Sequence, residues 1–364
     1  MKAQGPLKGV KVLEFVGLGP APFCGMMLSD MGADVVRIDR PGAHGGGAAD
    51  VLARGRRSIA LNLKDEADLE TARRLIASAD ILLEGYRPGV MERLGLGPDI
   101  ALTRNPALVY GRMTGWGQYG PLAHAAGHDL NYIALTGALG AIGDREKPAI
   151  PLNLVGDFGG GAMYLGFGVL AALHHARASG EGQVVDAAIV DGATSLMASQ
   201  FQLAAFGLWS PERGRNLLDG AAHFYSVYEC ADGGFISVGP LEPEFYALLC
   251  EKTGVDGQTW PADWSGKGWP DAKAAMADMF KSQSRDHWCA LLEGSDACFA
   301  PVLDYEEAAR HPHMVERAVH AELDGVRQPA PAPRFSVTPG AIQGPAAVPG
   351  ADQDAVLSDW LSET

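Results

Sequence analysis

Two side chains in the middle of the chain are of the types that proton transfer requires. His128 lies within Gly127-His128-Asp129-Leu130-Asn131-Tyr132, and Asp157 lies within Asn153-Leu154-Val155-Gly156-Asp157-Phe158-Gly159-Gly160-Gly161. A long apolar run follows the second stretch, from Ala162 to His175, and predicts a buried helix that begins near Asp157. Glycines beside both side chains would admit a ligand close to the backbone. An imidazole and a carboxylate placed in this way could act as a pair of bases.

Simpler roles are open for the same side chains. Asp157 could cap the predicted helix, because aspartate is favoured at helix starts. His128 could be a core histidine whose hydrogen bonds are satisfied. Glu242 precedes Pro243 and could be either a turn residue or a functional carboxylate. The residue types therefore indicate a site and leave these alternatives open.

The first half of the chain predicts an α/β fold, because strand-like and helix-like segments alternate. The strand-like segments lie near residues 10–16, 34–39, 58–63, 79–84, 108–113 and 182–189. The first two flank a predicted helix and form a βαβ unit with a right-handed crossover. The turn between them contains Gly17 and Gly19 but lacks the third glycine of a dinucleotide-binding fingerprint. It therefore favours a tight strand–helix turn, and a dehydrogenase is disfavoured.

Arginines recur where these strands end. Arg40, Arg87 and Arg112 each lie at or near the carboxyl end of a predicted strand, the edge where ligands bind in open α/β sheets. Residues 1–112 hold 15 Lys/Arg and 13 Asp/Glu, whereas the remaining residues hold 14 and 31. An anionic ligand should therefore bind the N-terminal portion. Solvated surface arginines are the alternative.

Composition and charge narrow the classes of partner and compartment. The chain has 364 residues, of which 47% are hydrophobic and 20% charged, as in ordinary globular proteins. A net charge of −15 disfavours a nucleic acid or an anionic membrane as partner. Five scattered cysteines without a C-x-x-C pair predict neither a disulfide framework nor a zinc site. We expect a cytoplasmic protein without a signal peptide or a membrane-spanning segment.

Short motifs in a fixed order carry a resemblance to a known family. They are the two stretches around His128 and Asp157 together with Gly32-Ala33-Asp34-Val35-Val36-Arg37-Ile38-Asp39-Arg40-Pro41, Glu84-Gly85-Tyr86-Arg87-Pro88-Gly89, Thr114-Gly115-Trp116-Gly117-Gln118 and Leu241-Glu242-Pro243. Any one of them is a modest signal, but their order and spread make a strong one. The chain resembles the bacterial α-methylacyl-CoA racemases of the family III CoA-transferase (CaiB/BaiF-like) superfamily.

The resemblance implies an α/β fold with a large Rossmann-like domain on a parallel sheet, a smaller α+β domain and an interlocked homodimer. The large, CoA-binding domain would comprise residues 1–190 and 330–364. Residues 191–224 would form a linker, residues 225–315 the small domain and residues 316–329 the return linker. Within the small domain, Asp232-Gly233-Gly234 predicts a β-hairpin. Each active site would be shared between the large domain of one chain and the small domain of its partner.

The same resemblance implies epimerisation of 2-methylacyl-CoA thioesters through an enolate, with His128 and Asp157 as the two bases. Glu242 of the partner chain would orient His128, as carboxylates do for catalytic imidazoles. Backbone amides from Asp157 to Gly159 would meet the enolate oxygen. CoA is part of the substrate, and no further cofactor and no metal are implied.

The resemblance also assigns residues to CoA. Arg40, Arg54 and Arg57 would meet the phosphates, for which guanidinium groups are well suited. Backbone at Leu61 and Leu63 would lie near adenine. The route to the thioester would be lined by Gly85, Tyr86, Arg87, Arg93, Gly127 and Tyr132.

Two other functions stay open. In a CoA-transferase of the same superfamily, Asp157 would be a nucleophile that carries covalent intermediates. His128 together with Glu242 favours proton transfer, because a transferase needs no second base. A catalytically silent acyl-CoA-binding protein is disfavoured by the presence of all three side chains. The acyl group stays undetermined, although an apolar helix with Met197 and Phe201 could line its groove.

Overall fold

The computed structural model describes residues 4–257 and 266–362, which divide into two compact units. The first unit comprises Met1–Thr136, Leu152–Leu196 and Met314–Thr364, and the second comprises Gly137–Pro151 and Met197–His313. The domain bounds predicted from the sequence stay predictions, because a single chain does not test an arrangement shared between two chains.

A six-stranded parallel sheet forms the centre of the first unit. Its strands are β1 (Lys11–Phe15), β2 (Asp34–Asp39), β3 (Arg57–Ala60), β4 (Ile81–Glu84), β5 (Val109–Thr114) and β6 (Gln183–Ala188). Their order across the sheet is β3-β2-β1-β4-β5-β6, and every neighbouring pair is parallel. The predicted α/β class with a parallel sheet is therefore confirmed.

The remaining strands form two small antiparallel sheets. They are β7 (Ser226–Glu229), β8 (Phe235–Val238) and β9 (Phe299–Val302) in the second unit, and β10 (His320–Leu323) and β11 (Val326–Pro329) in the first. Strands β7 and β8 pair antiparallel on either side of Gly233, whose φ of 80° belongs to the left-handed region that glycine tolerates. The hairpin predicted around Asp232-Gly233-Gly234 is thus confirmed.

Helices connect the strands and cover the sheets. In chain order they are α1 (Pro20–Asp30), α2 (Glu66–Ser78), α3 (Val90–Arg93), α4 (Pro98–Arg104), α5 (Asp129–Leu135), α6 (Ala138–Ala141), α7 (Met163–Ser179), α8 (Ile189–Leu196), α9 (Ala198–Ala205), α10 (Pro243–Thr253), α11 (Trp269–Lys281), α12 (Arg285–Leu292), α13 (Tyr305–Ala308), α14 (Pro312–Glu316) and α15 (Gln353–Leu361). A short 3₁₀ turn, Val51–Ala53, precedes β3, and a wide π-type helix, Leu154–Ala162, leads into α7.

Two hydrophobic clusters cover the two faces of the parallel sheet. Val12 belongs to one cluster and Leu13 to the other, because successive side chains of a strand point to opposite faces. The first cluster includes residues of α1 and α7, such as Leu28 and Leu165, and the second includes α2, α4 and α15. Burial on both faces explains the almost continuous apolar strands. A third cluster, around Phe280, forms the core of the second unit.

The wide helix before α7 is packed closely against α8 through glycines. A Cβ on Gly160 would lie 2.7 Å from the backbone nitrogen of Ala193, and one on Gly192 would lie 1.8 Å from the carbonyl oxygen of Gly160. Neither position has room for a side chain, so the two helices meet backbone to backbone. The helix begins at Leu154, three residues before Asp157. Asp157 thus lies in the first turn of the helix, as predicted.

The continuous helical run Leu154–Ser179 has 26 residues and is long and apolar enough, by length and composition alone, to cross a membrane. A core helix meets the same criteria. Leu165, Val169, Leu173 and Ala176 of this run are buried in the cluster that covers one face of the sheet. This packing accounts for part of the apolar composition, while Leu154, Met163 and Phe167 of the same run are exposed.

Candidate active site

His128 is held at the start of α5 by a reciprocal cap. Its backbone N–H donates to Oδ1 of Asn131 at 3.1 Å, and the N–H of Asn131 donates to the carbonyl oxygen of His128 at 2.8 Å. The cap satisfies groups that a helix start leaves without partners. The His128 side chain itself is exposed. The alternative of a core histidine is therefore excluded.

Asp129 joins the two stretches that the sequence analysis singled out. Its Oδ1 accepts a hydrogen bond from the backbone N–H of Asp157 at 2.7 Å. A Cβ on Gly156 would lie only 2.1 Å from the same oxygen, so glycine is needed for this approach. The structure thus brings the His128 and Asp157 stretches together through a carboxylate to which the sequence analysis gave no role.

The Asp157 carboxyl has an unusual protonation equilibrium. Its pKa is raised from 3.8 to about 6, chiefly by burial and also by the neighbouring Asp129 carboxylate, whereas a hydrogen bond from Asn153 and the charge of His128 act in the opposite direction. A carboxyl with a pKa near neutrality is suited to exchange protons at physiological pH. Since Asn153, and not Asp157, occupies the N-cap position of the helix, the capping alternative is excluded.

The turn between β1 and α1 forms one side of this site. Gly19 has a φ of 70° and a ψ of −117°, a conformation that favours glycine. A Cβ at this position would lie 3.2 Å from Oδ2 of Asp157. Phe23, one helical turn later, stacks on Phe158 with ring centroids 4.4 Å apart. The turn is therefore fixed directly against the Asp157 carboxyl.

Tyr132 lies on another side of the site. Its hydroxyl donates to the carbonyl oxygen of Gly127, and its ring meets Trp116 edge-on at 4.8 Å. Burial and the Asp157 carboxylate raise the pKa of Tyr132, and the Arg87 guanidinium lowers it. Tyr132 therefore lies within the electrostatic reach of both groups.

Two amides predicted to meet an enolate oxygen are already bonded. The N–H of Asp157 donates to Asp129, and the N–H of Phe158 donates to the carbonyl oxygen of Asn153 at 3.1 Å. The sequence placed these amides in the open first turn of a helix. Asp157 does lie in the first turn, but Asp129 occupies its amide, and the Phe158 amide already takes part in the hydrogen bonding of the helix. This prediction is wrong for both residues.

The residues assigned to the route toward the thioester follow β4 and α3. Gly85 comes directly after β4 and is exposed, and a Cβ there would lie 3.4 Å from Cβ of Ala21 in α1. The side chains of Arg87 and Arg93 are exposed. Tyr86 is partly buried, and its backbone N–H donates to Oε2 of Glu84 at 2.8 Å.

Arg40 is exposed at the end of β2, at the carboxyl edge of the sheet. Burial raises the pKa of Tyr86, and the Arg40 guanidinium lowers it, so Arg40 and Tyr86 face the same region. Leu61 is buried, and its N–H donates to the carbonyl oxygen of Asp39 at 3.0 Å. Leu63 packs against the second core cluster.

Other arginines that the sequence associated with phosphates have acidic partners. Arg54 is 2% exposed and binds Asp30 through Nε–Oδ1 at 3.1 Å and Nη2–Oδ2 at 2.5 Å. Arg112 is also buried, and its guanidinium binds the carboxylates of Glu84 and Glu92 at 2.8 Å each. Buried, doubly paired guanidinium groups are not available to a phosphate. For these two residues the sequence-based expectation is corrected.

Arg57 lies at the opposite edge of the sheet. It is the first residue of β3, whereas ligands bind beyond the carboxyl ends of strands. Its guanidinium binds Asp34 through Nε–Oδ1 at 3.0 Å and Asp359 of α15 at 2.7 Å. The structure therefore does not bring Arg57 together with Arg40, and the expected phosphate contact does not fit this position.

Comparison with known proteins establishes the family. The sequence profile described as CoA-transferase family III matches residues 7–355. The chain belongs to this family. It is 45% identical over 359 residues to alpha-methylacyl-CoA racemase of Mus musculus, which covers 98% of this chain and 92% of the relative. It is 42% identical over 362 residues to the racemase of the same name from Homo sapiens, with the same coverage.

More distant members of family III include a transferase and solved structures. Succinyl-CoA–D-citramalate CoA-transferase of Chloroflexus aurantiacus is 28% identical over 386 residues, which covers 99% of this chain and 95% of that relative. A CAIB/BAIF family protein from Brucella suis superimposes with a TM-score of 0.82 at 23% identity, covering 98% of this chain and 100% of that one. Rv3272 from M. tuberculosis gives a TM-score of 0.80 at 26% identity, covering 97% and 98%. These structures share the α/β fold described above.

Glu242, the third residue assigned to catalysis in this family III chain, belongs to the second unit. It directly precedes α10, and its side chain is exposed. Burial and the Glu242 carboxylate raise the pKa of the Cys298 thiol, so these two side chains are neighbours. The assigned role of orienting His128 stays a prediction.

Three site residues were missed from the sequence: Asp129, Asn153 and Gly19. Asp129 and Asn153 stand inside the motifs that carried the resemblance, so their polar side chains beside His128 and Asp157 were the available signal. Gly19 stood out only as part of a broken dinucleotide fingerprint. Its contact with Asp157 joins positions far apart in the chain and depends on tertiary structure.

Proposed function

We propose that this chain is an isomerase that epimerises the α-carbon of 2-methylacyl-CoA thioesters by proton transfer through an enolate, with His128 and Asp157 as the two bases. The observation that carries the proposal is the hydrogen bond of 2.7 Å between the Asp157 amide and Asp129, which joins the two bases' stretches. Identities of 45% and 42% to alpha-methylacyl-CoA racemases over 98% of the chain support the reaction class.

In the proposed mechanism, one base removes the α-proton, and the electron pair of the C–H bond passes into the thioester to form the enolate. The second base then returns a proton to the opposite face of the α-carbon. Asp157, with a pKa raised to about 6, can act as base when ionised and as acid once it has taken the proton. His128 is exposed and therefore accessible to a substrate. Each epimer would thus meet a different base.

The developing enolate oxygen needs donors that are in place before the reaction. Since the amides of Asp157 and Phe158 are occupied, we assign this role to the first-turn amides of α5, at Asp129 and Leu130. An α-helix leaves its first amides without carbonyl partners and carries a partial positive charge at that end. Removing one such donor typically costs about 3–4 kcal/mol of transition-state stabilisation.

For the CoA portion, we assign phosphate contacts to Arg40 and the approach to the thioester to Gly85, Arg87 and Tyr132. Arg40 and Arg87 are exposed and follow β2 and β4, two strands that lie on either side of β1 in the sheet. Their carboxyl ends therefore open at one edge, where α/β proteins bind ligands. Guanidinium groups there complement anionic phosphates.

We further propose that the active enzyme is a homodimer in which Glu242 of the partner subunit orients His128. The proposal draws on the family membership and on the exposed Glu242 side chain at the start of α10. A carboxylate that bonds one imidazole nitrogen fixes the tautomer of the other.

The second candidate is CoA transfer, with Asp157 as the nucleophile. It is favoured by the family itself and by the 28% identity to a CoA-transferase over 99% of the chain. The exposed His128 argues against it, because a transferase with Asp157 as nucleophile needs no second base. Both reactions use acyl-CoA, so an experiment must separate proton exchange from group transfer.

The test is incubation of the purified protein in D2O with one epimer of a 2-methylacyl-CoA and no acceptor acid. We expect α-deuterium to appear together with the opposite epimer. His128→Ala and Asp157→Ala should each abolish epimerisation, whereas His124→Ala, at an exposed histidine of the same segment, should retain it. Absence of exchange, with CoA moving to an added carboxylic acid, would refute the racemase proposal and make Asp157 a nucleophile.

A further inference from the structure

Leu18 is an exposed apolar side chain beside the candidate active site. It is 94% exposed, although leucine is among the residues most often buried in folded proteins. It lies in the turn between β1 and α1, next to Gly19, where a Cβ would lie 3.2 Å from Oδ2 of Asp157. An apolar group thus stands one residue away from a backbone position that lies directly against the carboxyl of the proposed base.

The residues that follow Leu18 pack against the core of the first unit and thereby fix the turn. Phe23 stacks on Phe158 at 4.4 Å with an interplanar angle of 16°, and a Cβ on Gly161 would lie 3.2 Å from Cβ of Pro20. The unusual backbone of Gly19 turns the chain at this point. Leu18 is therefore held in place by its neighbours, while its own side chain makes almost no contact within the described residues.

We propose that Leu18 is a specificity-determining residue that packs against the α-methyl group and the adjoining carbons of the bound acyl chain. The inference rests on the proposed function, because it takes Asp157 as a group that faces the α-carbon. A base must come within hydrogen-bond distance of the proton it removes, so the substituents of that carbon lie within reach of the turn. Leu18 would then lose its exposed surface to the substrate, which favours a branched acyl group over an unbranched one.

The test compares α-deuterium incorporation into 2-methylbutanoyl-CoA and butanoyl-CoA, both of which carry an exchangeable α-proton. The measured quantity is the ratio of kcat/KM for the branched to the unbranched thioester. We expect Leu18→Ala to lower this ratio about fourfold, the fold-change that corresponds to about 0.8 kcal/mol for one methyl-sized group buried. Leu18→Met, which conserves volume, should keep the ratio within about twofold.

Val337→Ala is the matched control, because Val337 is 86% exposed in the same unit and belongs to none of the segments that form the candidate site. It should leave the ratio unchanged. Since both side chains are exposed, their truncation should leave the midpoint of urea unfolding nearly unchanged, so the variants should remain folded. Affinities for the two thioesters, measured by titration calorimetry, provide a readout that needs no turnover.

The outcomes separate this inference from the proposed function. Exchange with an unchanged ratio in Leu18→Ala would overturn the role of Leu18 and leave the racemase proposal standing. No exchange in the unsubstituted protein would refute the racemase proposal. The ratio of the affinities for the branched and the unbranched thioester would then test Leu18, because Leu18→Ala should lower this ratio if the side chain contacts the α-methyl group. A changed elution volume of Leu18→Ala in size-exclusion chromatography, with unchanged ratios, would assign Leu18 to contact between two copies and overturn the inference.

Discussion

Replacing Asp157 by asparagine should stabilise the folded protein at neutral pH while abolishing epimerisation. Asparagine keeps the shape of the side chain and an oxygen that can accept the hydrogen bond from Asn153. It removes the negative charge, which burial and the Asp129 carboxylate make unfavourable at this place. A functional carboxylate would thus lower the stability of the fold that holds it.

The sign and size follow from the two pKa values. Folding raises the pKa of Asp157 from 3.8 to about 6, so the folded state holds a proton that the unfolded state has released between these values. Stability therefore falls as the pH rises through this window and stays reduced above it. The full shift corresponds to about 3 kcal/mol. Since the carboxyl is only partly buried, solvent screening reduces the expected gain of Asp157→Asn to about 1–2 kcal/mol at pH 7.5.

The assay is urea unfolding of both proteins at pH 4 and at pH 7.5, at one protein concentration because assembly would shift the midpoint. The difference in free energy of unfolding between Asp157→Asn and the unsubstituted protein should be about 1–2 kcal/mol larger at pH 7.5 than at pH 4. Asp144→Asn is the matched control with the opposite direction, because backbone hydrogen bonds from Lys147 and Glu146 lower the pKa of Asp144. A difference for Asp157→Asn that is the same at both pH values, or larger at pH 4, would refute the reasoning.

Three further predictions concern the residues around this carboxyl and the proposed phosphate site. Asp129→Asn should move the acidic limb of the pH profile of kcat/KM to lower pH, because the Asp129 carboxylate raises the pKa of Asp157; an unmoved limb would contradict this. Gly156→Ala should lower the free energy of unfolding by about 1–3 kcal/mol, measured in urea, because its Cβ would lie 2.1 Å from Asp129; an unchanged midpoint would contradict it. Arg54→Ala should cost about 3–5 kcal/mol of stability by leaving a buried carboxylate unpaired, with KM for acyl-CoA little changed. Arg40→Ala should raise KM for acyl-CoA and leave the stability little changed. If instead Arg54→Ala raised KM and Arg40→Ala lowered the stability, Arg54 would be the phosphate ligand.

The sheet could be predicted from the sequence because its signal is local. Each strand is a short apolar run between turn residues, and β1, β2 and β4 begin and end within a few residues of the predicted bounds. The hairpin around Gly233 was predictable for the same reason, since a turn depends on the residues that form it. His128 and Asp157 were found because their residue types and their glycine neighbours can be read directly from the sequence.

Electrostatic partners were not predictable in this way. The sequence does not distinguish the environments of Arg40, which follows a predicted strand, and Arg54, which lies in the predicted loop before the next strand. Only the folded chain buries Arg54 against Asp30 and leaves Arg40 exposed. Arg112 was misjudged for the same reason, because its partner Glu84 lies on the neighbouring strand. An arginine is available to a ligand only if folding does not place a carboxylate next to its guanidinium group.

The sequence by itself determined the class of fold, the family and the pair of candidate bases, because apolar periodicity and ordered motifs are properties of the linear chain. Tertiary structure decided that Asp129 holds the Asp157 amide, that Gly19 closes against the Asp157 carboxyl, and that the helix around it begins at Leu154. These contacts join residues distant in the chain. The extent to which a charged side chain is buried is likewise defined only once the surrounding atoms have folded around it. The raised pKa of Asp157 is thus a property of the fold, although the aspartate is a property of the sequence.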